Sequence, residues 1–307
     1  MGEAGSILIG LIPALGWGFQ GIVMQKIGGT TANKQMGMVL TALAVSIVIA
    51  FFVPITWTPA LIAAAAINGV PWAIAQILQI KSFDYLGVSR AMPLTSGMQL
   101  VMAALVGIFF NEWPHAWQLA LGFSGIAVIV VGTAMTAYTE KTAAAAAASE
   151  HTPDEIRKGI VITFISAALY IMYATAARFF SVDSLQILLP QAVFMTAATI
   201  VIAAFVCKKE VPGGPLDAEA GVFGKKSWQN MLTGVLWSAA NIAVLYSNQV
   251  NGVAVGWTLA NMNLIFATLG GLFILHEQKT KKELRFVIIG MALVAIGGIC
   301  IGITKVG

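Results

Sequence analysis

The residues best placed to do chemistry are uncharged. In one apolar stretch Trp72, Gln76 and Gln79 recur at i, i+4 and i+7, which puts an indole and two amides on one helical face. Trp237, Asn241 and Asn248 repeat the arrangement further along the chain. Trp17 and Gln20 stand one turn apart, as do Tyr170 and Tyr173. Thr95, Ser96 and Gln99 fall in one stretch, Trp257, Asn261 and Asn263 in another, and Gln191 follows Pro190. Amides supply donors and acceptors together, as a ring of hydroxyls requires. An indole face can cover the C–H face of a pyranose while amides read its edge. The candidate binding set is therefore Trp17, Gln20, Trp72, Gln76, Gln79, Ser96, Gln99, Tyr173, Gln191, Trp237, Asn241, Trp257 and Asn261. The competing reading is that these amides bond only between helices, as membrane bundles commonly allow.

Catalytic constellations are missing. His115, His151 and His276 have no cysteine or carboxylate at metal-ligand spacing, and no glycine loop leads into Lys-Ser or Lys-Thr. No cofactor or metal is expected, and the chain is not read as an enzyme. Cys207 and Cys300 read as small apolar fillers. Basic residues are scattered rather than clustered with aromatics, so nucleic acid is not an expected partner.

The elements that position these residues follow from composition. Of 307 residues, 58% are hydrophobic and 10% charged, against roughly a quarter charged in soluble domains. Such a chain needs lipid around it. Ten stretches approach the roughly 20 apolar residues that span a bilayer: 6–24, 36–53, 60–81, 91–110, 117–137, 159–179, 185–206, 228–248, 253–275 and 284–303. All thirteen acidic residues fall in tails, loops or helix ends, which argues against a cationic or metal substrate. Trp57, Trp113, Trp117 and Trp228 read as interfacial anchors.

Lysine and arginine gather in the odd-numbered loops, from Lys26 and Lys34 to Lys281, Lys282 and Arg285, while the even loops and tails hold only Arg178 and Lys305. Basic loops stay cytoplasmic, so both termini are expected outside a cell membrane.

A shift of 165 positions carries the third to fifth stretches onto the eighth to tenth: Gly69 onto Gly234, Trp72 onto Trp237, Gly87 onto Gly252, Glu112 onto Glu277, Gly125 onto Gly290 and Gly132 onto Gly297. Two five-helix repeats, 1–142 and 159–307, follow, joined by an Ala-rich linker at 143–158 in which Thr152 or Ser149 caps a helix. An odd helix number inverts the second repeat, an architecture of secondary transporters with a site near the midplane. The expected fold is thus all-α and membrane-integral, with ten transmembrane helices.

Residues 72–79 (Trp-Ala-Ile-Ala-Gln-Ile-Leu-Gln), Gly87-Val88-Ser89, Met92-Pro93, Gly97-Met98-Gln99-Leu100, Glu112-Trp113, Thr268-Leu269-Gly270-Gly271 and Lys279-Thr280-Lys281-Lys282-Glu283 carry a resemblance. In this order they resemble the glucose/ribose uptake permeases of the drug/metabolite transporter superfamily. The resemblance implies a ten-helix carrier importing glucose or a related monosaccharide by alternating access. It also brings protons and a second copy of the chain into view as partners. Glu112 and Glu277 are the acidic residues on its motifs, expected to be structural. The runner-up is an exporter of amino acids or similar metabolites in the same superfamily.

Overall fold

The structure, a computed structural model, describes residues 3–86, 88–136, 138, 152–274 and 280–306. Residues 143–149 of the linker, with His151, His276, Glu277 and Lys279, lie outside the described residues.

Regular structure among the described residues is helical throughout, as expected where backbone amides must bond internally. In chain order the helices are α1 Glu3–Ile27, α2 Thr31–Ala50, α3 Pro59–Leu86, α4 Val88–Phe109, α5 Ala116–Thr136, α6 Pro153–Phe179, α7 Leu188–Glu210, α8 Lys225–Gln229, α9 Met231–Asn251, α10 Val253–Ala260, α11 Asn263–Phe273 and α12 Lys281–Val306. Among the described residues eight helical segments are long and apolar enough to cross a bilayer, one of them Val253–Gly270. Helix α4 contributes a shorter apolar stretch, Leu94–Phe109, and α9 is not among the eight. The buried residues of α9 include Ser238, Asn241, Ser247, Asn248 and Asn251. Outward-facing apolar side chains such as Leu8, Leu105, Ile288 and Ile299 have no burial partner except lipid. The chain is a multi-pass membrane protein.

Local chemistry explains the helix starts. Thr30 accepts from the Asn33 backbone N–H while the Asn33 side chain returns to the Thr30 N–H, so α2 begins five residues before the expected span. Thr152 and Glu155 form the same reciprocal cap at α6. The expected span 253–275 is two helices rather than one. After Trp257 the bonding tightens, with Met262 N–H donating to the Leu259 carbonyl and Ile265 N–H to Met262, so the chain turns at Asn261-Met262 before resuming.

Helix α1 lies along α9, α3 along α6, α2 along α7 and α5 along α12. The last pair meets backbone to backbone. A methyl group on Gly132 would sit 2.6 Å from the Gly290 carbonyl oxygen, and one on Gly297 would sit 2.6 Å from that of Gly125. Such approach needs glycine and is a common packing device in lipid. Trp113 departs from the anchor reading: it is buried, its ring filling the space a side chain at Gly122 would occupy. Trp57, Trp117 and Trp228 are exposed.

Candidate functional site

Seven helices converge on one internal chamber. Helix α3 presents Trp72, Gln76, Gln79 and Phe83, and α1 presents Trp17, Gln20, Gly21 and Met24, each set at helical spacing. Helix α4 adds Met92, Thr95, Ser96 and Gln99, α6 adds Tyr170 and Tyr173, and α9 adds Trp237. The turn between α10 and α11 adds Asn261 and Asn263 beside Trp257. The broken helix thus brings two amides to the wall where a continuous one would aim them apart, and irregular backbone at membrane depth is tolerated where it borders a cavity.

The empty space bounded by these residues is about 610 Å3, its mouth included, within the roughly 300–1,000 Å3 of small-molecule sites. The part open to the centre of a water molecule is only about 60 Å3. A solute larger than water needs the flexible side chains of Met24, Met92 and the glutamines, which line this space, to turn aside. Gln79, Phe83 and Met92 are half-buried, so the mouth lies at that end, the end bearing Lys26, Lys34 and Lys81.

An aromatic group forms the far wall. Trp72 and Trp237 meet with ring centroids 4.6 Å apart. Trp17 stands edge-on to Trp257 at 5.5 Å, and Tyr173 edge-on to Trp257 at 5.8 Å. These are attractive geometries for rings with negative faces and positive edges.

Polar groups are unevenly satisfied. The Tyr170 hydroxyl lies 2.7 Å from Gln76 Oε1 and 2.8 Å from Gln79 Oε1, and with one proton it donates to one at a time. The Tyr173 hydroxyl donates to Asn241 Oδ1. Among the described residues Gln20 Nε2 and Gln79 Nε2 donate only to the thioether sulfurs of Met38 and Met92, at 3.4 and 3.5 Å, which are weak acceptors. The indole N–H groups of Trp17 and Trp257 and the Oδ1 of Asn263 are buried and find no protein partner among the described residues. Leaving such groups unpaired costs roughly 1–3 kcal/mol each. They suit a ligand that both donates and accepts. Among the described residues no lining side chain is charged.

Eleven of the thirteen sequence candidates line the chamber: all except Asn241 and Gln191. Asn241 stands behind the wall, held by Tyr173. Gln191 lies apart on α7, buried, where its backbone carbonyl closes on Gly69 of α3. The lining also includes Gly21, Met24, Phe83 and Met92, which carry no polar side chain to single them out in the sequence.

Glu112 has structural partners. Its two carboxylate oxygens accept the Val253 and Ala254 backbone N–H groups at 2.8 Å, capping α10 where Gly252 turns the chain at φ +83°. Arg178 Nε approaches the same carboxylate at 3.4 Å, an ion pair rather than a short hydrogen bond.

A polar chamber, without a charged lining side chain among the described residues and enclosed by apolar membrane helices, defines the class: a multi-pass integral membrane protein with an internal polar cavity. The chain belongs to the family described as sugar transport protein, whose model it matches over residues 8–304. It is 38% identical over 301 residues to a Listeria monocytogenes protein provisionally named for sugar uptake, lmo0169, covering 98% of this chain and 99% of the other. It is 34% identical over 300 residues to the glucose uptake protein GlcU of Bacillus subtilis, covering 97% and 98%. A crystal structure sharing 14% identity superimposes on it with a TM-score of 0.68 over 99% of both chains, which speaks to fold alone. Family and relatives point to transport rather than catalysis.

Proposed function

We propose that this protein carries a monosaccharide, glucose or a ribose-like sugar, across the cell membrane by alternating access. One observation carries the reading: among the described residues the chamber is walled by amides and indoles without a charged group, and it retains buried donors and an acceptor without protein partners. A hydroxyl-rich neutral solute answers all three features. The relatives named for sugar and glucose uptake support the same substrate class.

Several contacts support ten spans in two inverted repeats, 1–142 and 159–307. Trp72 and Trp237, 165 positions apart, touch each other. Gly125 faces Gly297 while Gly132 faces Gly290, the crosswise contact expected where a two-fold axis exchanges the two halves. Gly69 closes on α7 as Gly234 closes on α2. The basic loops favour a cytoplasmic position for the mouth at Gln79 and Phe83. Glu112 is committed to its cap and to Arg178, which favours a structural role over proton carriage.

The test is uptake of labelled glucose and ribose into proteoliposomes, with and without a pH gradient, against a panel of unlabelled sugars and amino acids. Saturable uptake blocked by monosaccharides and not by amino acids is expected. Inhibition by amino acids alone would move the protein to the metabolite-exporter reading.

A further inference from the structure

The chamber is not the roomiest space in the protein. A groove with about 560 Å3 open to water centres lies between the C-terminal ends of α6 and α9, on the face opposite the chamber mouth. Phe110, Arg178, Ser184, Leu245, Asn248 and Gln249 border it. A crevice facing lipid would be apolar, because hydrocarbon leaves polar groups unsatisfied. This one offers a guanidinium and two amides, and Asn248 Oδ1 is buried in it without a partner among the described residues.

Groove and chamber lie on the same two helices. Tyr173 lines the chamber, and the next residue, Ala174, lines the groove. On α9, Asn248 follows Asn241 by two turns on the same face. At the chamber wall the Tyr173 ring, its hydroxyl bonded to Asn241 Oδ1, and Trp257 edge-on to it form one layer. Beyond that layer α6 and α9 are linked by a long bond from Asn248 Nδ2 to the Ala174 carbonyl at 3.4 Å. The neighbouring 179–187 loop adds one from Ser184 Oγ to the Leu245 carbonyl at 3.1 Å.

We propose that the groove between α6 and α9 is the second mouth of the solute pathway, and that the Tyr173–Asn241 hydrogen bond is the bolt closing it off from the chamber. The inference rests on the carrier reading and adds the route and the closing pair. Breaking one neutral hydrogen bond shifts a two-state equilibrium by about fivefold. The ring of Tyr173 stays in place when only its hydroxyl is removed, so Tyr173→Phe loosens the bolt without opening a hole.

The experiment reads accessibility and needs no sugar. In the full chain with Cys207 and Cys300 replaced by alanine, Gln249→Cys marks the groove side and Thr95→Cys reports on the chamber. A membrane-impermeant maleimide is applied to proteoliposomes from the side at which Gln249→Cys reacts. With Tyr173 and Asn241 intact, Thr95→Cys is expected to react readily from the opposite side and only slowly from the groove side. Tyr173→Phe, and independently Asn241→Leu, are expected to raise its labelling from the Gln249 side about fivefold, with Gln249→Cys labelling unchanged as the sign of an intact fold. Unchanged Thr95→Cys labelling in both variants overturns the proposal, as does full labelling from the groove side before either substitution. Failure of hexose uptake with a positive labelling shift would sink the sugar reading alone. Normal uptake with no shift would sink the bolt alone.

Discussion

Trp72 of α3 and Trp237 of α9 touch across the chamber wall, ring centroids 4.6 Å apart and planes inclined at 56°. Each is almost fully buried, and each begins the same i, i+4 pattern on its own helix, with Gln76 after one and Asn241 after the other. The pair joins α3 to α9 and presents aromatic surface to the chamber. Trp237→Leu keeps an apolar side chain but removes the π face, at the cost of some bulk. An aromatic contact contributes about 0.5–1.5 kcal/mol beyond its buried area, so the half-saturation concentration for glucose is expected to rise roughly three- to tenfold. Initial uptake rates in proteoliposomes at graded glucose check this; an unchanged value would remove the indole from the binding surface.

Gly132 makes a different kind of contact. A Cβ there would lie 2.6 Å from the Gly290 carbonyl oxygen, and backbone cannot swing aside as a side-chain tip can. Gly132→Val is expected to cost about 1–3 kcal/mol by overpacking, lowering the melting temperature in detergent by several degrees. Residues of α5 and α12 do not line the chamber, so sugar affinity in the surviving protein should match wild type.

Much of this architecture was legible in the sequence, and the failures have physical causes. The all-helical, membrane-spanning character follows from hydropathy, which reports on which surfaces meet lipid, and the neutral polar face of Trp72, Gln76 and Gln79 follows from helical spacing. The break at Asn261-Met262 was not legible: no Pro or Gly marks it, and the run around it is apolar enough for one continuous helix. Gln191 was misplaced because a buried glutamine reads alike whether its helix faces a chamber or a neighbouring helix. Met24 and Met92 were missed because methionine reads as filler, though here their sulfur atoms border the space and Met92 accepts an amide N–H. Trp113 looked interfacial from its place beside Pro114, yet Gly122 leaves room for its ring inside.

Glu112 joins α6 to the start of α10. Glu112→Ala strips the Val253 and Ala254 N–H groups of their acceptor and leaves Arg178 without its carboxylate. The expected cost is about 1–3 kcal/mol, read as a lower unfolding temperature. Glu112→Gln keeps one amide oxygen as acceptor and is expected to lose less. Equal losses would mean that charge, and not the cap, is what matters there.

The connection between α7 and α8 carries a pH-sensitive turn. Asp217 Oδ1 accepts the Ala220 N–H at 2.8 Å and the Glu219 N–H at 2.9 Å. These bonds favour the ionised form and hold its carboxyl below the ordinary carboxylate range. A depressed folded value means the stabilisation is present above the unfolded pKa of about 3.9 and disappears as pH falls through the lower folded one. Amide exchange at Glu219 and Ala220 should quicken below about pH 4. Asp217→Asn, which does not titrate, should abolish that pH dependence.

Glucose counterflow in proteoliposomes, comparing Gln76→Ala with Gln191→Ala, tests the central claim most directly. Both are buried glutamines on membrane helices, but only Gln76 lines the chamber. The account predicts that Gln76→Ala loses counterflow at normal incorporation while Gln191→Ala keeps it. Equal counterflow in the two variants, or loss only in Gln191→Ala, would contradict it.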